Sequence, residues 1–392
     1  MIGNIWGKAG PLLFLVVGLA LAACDREASP QLPDTEQKSV ARLFSVEAAE
    51  TLSKSIWQSG QAQLIDTQAA VNELNGAVTG LLEAPSEDHL EVARLAWLNA
   101  HRQFAAAVPY IRLGFAPATL RDEGRRLQLS VDSWPVQPGY LDTVPGYSES
   151  GIVNDTAVEL TLSNLRKQHR LTAHEEASLG FHAMEVMLWG PTGERTAQQF
   201  APVGEGQKPE ARAANRRRQL TRLIGQALAE DIDELAGRWP MAANDLSRHF
   251  LSLDPAARLR QIRAIHTQVV DEELLPRLPE SSESDVESGR AADSKLALLA
   301  MLATLRENWL MNNGTGLAKL LLEAPQAEAL EGTFAMLEEL LRNAEDPIEL
   351  AEPDQLARSR ELLEELAGLM SGTAEAPAAE QEVTPVSAPV QE

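Results

Sequence analysis

One cysteine in 392 residues, Cys24, leaves the chain with no possible internal disulfide and no thiolate metal site. Positive charge is also short. Lys and Arg number 34 against 57 Asp and Glu, a formal net charge of -23, which argues against phosphate backbones and acidic membrane surfaces as partners and so against nucleic acid. The same excess is compatible with cations. Alternating strand runs with hairpin signals are missing from the body of the chain, where apolar residues recur at helical spacing instead; the fold class this predicts is all-α.

Long apolar runs are missing too, except at the start. Pro11 to Ala23 follows the single charge of Lys8 and closes on Leu21-Ala22-Ala23-Cys24. That run is too short to span a bilayer core of roughly 30 Å as a permanent helix, and its small-residue end reads as a lipoprotein-type signal over residues 1–23, with Cys24 as the lipidated residue. The expected setting is the bacterial cell envelope, facing the periplasm, with the membrane reached through the lipid at Cys24. Residues 24–39 are polar and hold prolines, as a flexible tether would. Residues 372–392 are aperiodic Ala, Pro, Glu, Gln, Val and Thr, a composition that predicts disorder.

Between the tails, helices are expected over 40–58, 61–83, 87–108, 155–167, 173–189, 213–238, 255–275, 292–310, 326–343 and 352–369. Gly- and Pro-rich breaks at 130–154 and 191–211 interrupt them. The second break suggests two packed helical bundles, 40–211 and 212–371. The polar insert 279–290 reads as a solvated loop without chemistry.

One segment carries chemistry. Thr172 with Glu175 has the pattern of a capping box, and Gly190-Pro191 that of a helix stop. From Ala177 to Trp189 only His182 and Glu185 can ionise, so the helix is expected to be buried. The two lie three apart, one turn along the same face. Burying an imidazole and a carboxylate costs several kcal/mol unless each is satisfied by the other, by polar neighbours or by a cation. An imidazole and carboxylates without thiolate suit iron, manganese or zinc.

The stretch Gly180-Phe181-His182-Ala183-Met184-Glu185-Val186-Met187-Leu188-Trp189-Gly190 resembles the Gly-x-His-x-x-Glu motif of imelysin-like proteins, including its Leu-Trp-Gly ending. Ala93 to Trp97, Ser133-Trp134-Pro135, Tyr140-Leu141-Asp142, Gly151 to Asp155 and Arg216 to Leu220 agree in order, so the resemblance covers residues 40–240 well. It implies a two-domain helical envelope protein associated with iron uptake. Its activity would be to bind a metal ion or metal complex, iron foremost and zinc as the alternative, and to hand it on, with an iron-transport permease as a partner.

His182 and Glu185 are the implied ligands, and Asp142 in the loop over 130–154 is the favoured third. That loop also carries Asp132, Trp134 and Tyr140, which could line a cleft. Arg94, Trp97 and Gly180 are expected to support the motif, Arg94 and Trp97 from an early helix. The family also carries a peptidase name. A zincin helix needs two histidines four apart, and Ser178 stands where the partner of His174 would be, while Val186 rather than His follows Glu185. A third possibility is a structural module in which the His–Glu pair only locks the core. His101 and the other histidines have no partner spacing that singles them out.

Overall fold

The computed structural model describes residues 45–204, 212–240, 245–280, 287–311, 315–345 and 347–372. The signal over 1–23, Cys24, the tether over 24–39 and the tail beyond Gly372 lie outside the described residues. The fold is all-α: among the described residues no strand forms, only an isolated bridge between Val144 and Tyr147. No helix among them is long and apolar enough to cross a membrane.

Two long helices organise the rest. α1 (Val46–Glu83) is capped at its start by the Ser45 side chain, and α2 (Glu87–Gly114) by Ser86. The break expected near residue 60 does not occur, because Gly60 lies directly against the Tyr110 ring of α2, where a Cβ would come within 2.9 Å of Tyr110 Cγ. A missing side chain there joins two helices by close packing rather than ending one.

After α2 come α3 (Arg121–Val131), α4 (Pro138–Leu141), α5 (Leu162–Gln168) and α6 (Phe181–Trp189). Next are α7 (Ala213–Gly237), α8 (Asp245–Ser252) and α9 (Pro255–Val269), which runs on through a π turn at Val270–Leu274 and a 3-10 turn at Leu275–Arg277. The chain continues with α10 (Ser294–Leu310), α11 (Leu317–Leu321), α12 (Ala324–Arg342) and α13 (Pro353–Ser371).

α1 packs on both α2 and α7, α2 packs on α10, and α9 touches α1, α2 and α13. Helices from either side of residue 211 therefore share one apolar core, in which Trp57 stacks on Trp239 at 5.1 Å and on Phe250 at 4.8 Å. The described residues form one compact unit. α3 and α8 were absent from the expected helices; both are short, at 11 and 8 residues, so their apolar period runs over too few turns to stand out in the sequence.

The motif helix differs from its expected limits. α6 starts at Phe181 rather than at 173, and Thr172 and Glu175 form no capping box. The preceding backbone bonds elsewhere: the Glu175 carbonyl accepts from the Gln137 amide, the Glu176 carbonyl from the Arg170 amide, and Ser178 Oγ donates to the Leu165 carbonyl. Gly180, at φ +92°, then turns the chain into the helix. The expected stop holds, since the helix ends at Trp189 with Gly190 at φ +82°.

Candidate metal centre

The path of α6 follows from one missing side chain. A Cβ on Gly180 would lie 2.5 Å from the Val131 carbonyl oxygen, so only glycine lets the start of α6 sit against the end of α3. That approach brings His182 Nε2 to 2.8 Å from Asp132 Oδ1, on the residue that closes α3. Trp97 of α2 fixes the same end by donating Nε1–H to the Phe181 carbonyl at 2.8 Å.

The far end is held by arginines. Arg195 Nε donates to the Met187 carbonyl and its Nη2 to the Val186 carbonyl, while Arg94 donates Nε and Nη2 to the Leu188 carbonyl. The Val186 carbonyl also accepts the Gly190 amide, while those of Met187 and Leu188 belong to the negative end of a buried helix that has no amide to offer them, and the two guanidinium groups satisfy them.

Four donor groups converge beside α6: His101 from α2, Asp132, His182 and Glu287 each offer an atom within 4.8 Å of the others, and all four are buried. Both imidazoles are fixed from behind. His182 Nδ1 lies 3.3 Å from Glu185 Oε2, and His101 Nδ1 lies 2.9 Å from Asp293 Oδ2. Glu185 Oε1 in turn accepts the Ala291 amide at 2.9 Å, and Asp293 Oδ1 accepts Arg102 Nε at 2.6 Å. Each ring thus has one nitrogen on a carboxylate and the other, Nε2, turned toward the remaining donors: 3.7 Å from Glu287 Oε1 for His101 and 3.9 Å for His182. A carboxylate behind a ligating histidine is the usual way a metal site sets tautomer and ring orientation.

Arg277 completes the cluster. Its Nη2 donates to Asp132 Oδ2 at 2.6 Å, Nε to Glu287 Oε1 at 2.8 Å, and Nη1 to Glu273 Oε2 at 2.8 Å. The Trp134 ring lies 5.6 Å from its guanidinium carbon. Glu287 Oε2 is buried with no partner among the described residues.

The charge balance shows in the proton affinities. Burial alone would lower the His101 pKa, but the Asp293 and Glu287 carboxylates outweigh it and raise it to about 10. For His182 burial again lowers and Asp132 and Glu185 raise, with a net rise. Burial raises Glu287, and Arg277 and His101 overcome it to hold its carboxyl well below the usual range. The His101 ring therefore carries its proton at neutral pH.

This donor set fits a transition-metal ion. Two imidazole nitrogens and two carboxylate oxygens, all without thiolate, suit iron, manganese or zinc, and the unpartnered Glu287 oxygen is a ready donor.

Not every expected site residue belongs to it. Glu185 is outside the converging four and orients His182 from behind instead. Asp142, the expected third ligand, is also outside them: Arg217 donates Nε and Nη2 to its two oxygens and Arg195, which also holds the far end of α6, donates Nη2 to Oδ2. Tyr140 donates its hydroxyl to the Gln168 carbonyl at 3.4 Å, away from the centre.

His101 and Glu287 were not singled out. His101 carried the same signal as His182, an ionisable group among the buried residues Ala93, Trp97, Ala100 and Phe104 of one helix face, and its ring stacks on Trp97 at 4.7 Å. Glu287 comes from the insert expected to be a loop without chemistry. It is buried there, and nothing in its neighbours Ser288 and Gly289 marks it.

The chain matches the imelysin family over residues 60–372. No curated protein matches it. Among solved structures, it is similar to an imelysin-like protein from Psychrobacter arcticum 273-4, at 14% identity and a TM-score of 0.60. It is also similar to a candidate iron-regulated protein A precursor from Parabacteroides distasonis ATCC 8503, at 12% identity and a TM-score of 0.61. Each likeness covers 84% of this chain and 95% of the other, and at such identities it speaks for the fold.

Proposed function

The chain belongs to the imelysin family, and from that premise we propose that it is a binding protein which captures a metal ion, iron foremost, at His101, Asp132, His182 and Glu287. The observation that carries this reading is the pair of buried imidazoles, each backed by its own carboxylate and each presenting Nε2 to two further carboxylates. A pair that merely locked a core would need neither a second histidine nor two more buried acids.

The metal is cargo. The four side chains replace its water ligands, and Glu185 and Asp293 hold the rings in place while it is bound. Zinc fits the same donors. An iron-regulated description for a structural relative is the support for iron, and a role in iron uptake, with delivery to a transport permease, follows as part of the proposal. So does attachment to the envelope membrane through a lipid on Cys24.

Peptidase chemistry has less support. A catalytic zinc keeps one position open for water, whereas four protein donors converge here, at 1–5% exposure.

The test is metal-dependent stabilisation of the chelator-treated protein. Ferrous iron or zinc should raise the melting temperature in wild type and in Glu185→Gln, less in the latter, and not in His182→Ala. A wild-type protein whose melting ignores both metals sinks the reading. Cleavage of casein by metal-loaded protein, abolished in His182→Ala, would establish the peptidase reading instead. Radiolabelled palmitate incorporation lost in Cys24→Ala checks the anchor.

A further inference from the structure

The centre already contains a cation. Arg277 is buried and donates four hydrogen bonds, to Asp132 Oδ2, Glu287 Oε1, Glu273 Oε2 and the Glu273 carbonyl. Two of its three carboxylate partners are candidate metal donors. A guanidinium in this place does two opposed things. It takes the outer oxygen of Asp132 and so leaves Oδ1 toward His182, which positions a donor. It also puts a permanent positive charge, one that deprotonation cannot remove, within a few ångströms of any bound metal.

The structure shows how that charge is kept in place. Glu273 lies on the π turn that follows α9 and Arg277 one turn on, so the π turn aims both into the cluster. Glu273 is further tied by Gln128 Nε2 at 2.9 Å, and Arg112 lies 3.4 Å from it. Trp134 lies beside the guanidinium. Arg277 is therefore anchored independently of the two metal donors it touches, and it would stay when they turn to a metal.

We propose that Arg277 is the affinity-setting residue of the centre: a resident counter-cation that neutralises Asp132 and Glu287 in the empty protein and weakens metal binding enough for the cargo to be released. This rests on the metal-binding reading above. Of the two opposed effects the charge is the larger, because Asp132 and Glu287 are oriented by buried packing as well, while Glu273, which Arg277 shares with Arg112, offsets only part of the repulsion between guanidinium and metal.

The experiment is zinc affinity of the full chain by competition with a chromophoric chelator, for wild type, Arg277→Gln, Arg277→Lys and His182→Ala, with melting of each metal-free protein. Arg277→Gln should bind zinc at least tenfold more tightly than wild type, melt lower when metal-free, and recover most of that loss at saturating zinc. Arg277→Lys, which keeps the charge and loses the fork, should stay within about threefold of wild type. Unchanged or weaker zinc binding by folded Arg277→Gln overturns the proposal, and so does tightening in Arg277→Lys equal to that in Gln. If Arg277→Gln does not fold, the pair Arg277→Met with Glu273→Leu removes one charge of each sign and should still tighten zinc binding; no gain overturns the proposal. Should wild type and His182→Ala bind zinc equally, the metal reading itself fails and this proposal fails with it; tight, His182-dependent binding with no response at Arg277 leaves the metal reading standing.

Discussion

Gly180 and His266 show how single residues carry consequences in opposite directions. At Gly180 the constraint is space and backbone: φ is +92°, and a methyl group would lie 2.5 Å from the Val131 carbonyl oxygen. Gly180→Ala is expected to lose about 2–3 kcal/mol of stability in denaturant titration and to weaken metal binding, since the shift falls between His182 and Asp132. His266 has no site role. Its ring is fully buried with neither nitrogen partnered among the described residues, and burial lowers its pKa from 6.5 to about 3. Above pH 6.5 the ring is neutral folded or unfolded and the group adds nothing. As pH falls from 6.5 toward 3 only the unfolded chain takes up the proton, so stability drains away, by about 5 kcal/mol in full. His266→Leu should therefore lose clearly less stability than wild type between pH 7 and pH 4 in urea unfolding; parallel losses would contradict the assignment.

At the scale of elements, α6 is a nine-residue helix that could not stand alone. It is held at its first residue by Trp97, at its last turn by Arg94 and Arg195, and along its length by apolar packing against α2 and α7. Arg195 is the more exposed to test, because it joins the helix end to the buried Asp142. Arg195→Met leaves the Met187 carbonyl without its donor and Asp142 with only Arg217 and the Thr143 amide, a loss of about 2–4 kcal/mol. The same variant should soften the register of His182 and weaken metal binding, whereas Arg218→Met, at a guanidinium that donates to the Phe200 carbonyl, should leave metal affinity unchanged. Equal effects of the two on metal affinity would mean that the end of α6 does not position the site.

Across the whole molecule, the candidate donors arrive from distant parts of the chain. His101 and Glu287 are separated by nearly half of the sequence, and Arg102 on α2 holds Asp293 just ahead of α10. Binding one ion would therefore clamp the first part of the chain to the last, on top of a core that both already share. The expected behaviour is a single unfolding transition, coincident by helical circular dichroism and tryptophan fluorescence, that moves upward as one with metal; at a free concentration a hundred times Kd the gain is about 2.7 kcal/mol. Two separable transitions, only one of them metal-sensitive, would show that the halves on either side of residue 211 fold independently.

The sequence by itself determined the all-α class, the existence of most long helices, the glycine-bounded motif helix end and the presence of His182 in apolar surroundings, because helical periodicity and burial of an ionisable group are local signals. It could not determine the roles of Glu185 and Asp142. A carboxylate one turn from a histidine can ligate the same ion or hold the ring from behind, and only the placement of Asp132, brought in by the contact at Gly180, decides which ring nitrogen faces the other donors. Asp142 turned to Arg195, which the buried end of α6 needs nearby, and to Arg217 of α7. Glu287 and Arg277 have no neighbours in sequence that mark them, and the apolar face around His101 does not say what its ring meets. Their chemistry exists only where the packing of α2, α6 and the turn after α9 makes buried charges answer one another across the fold.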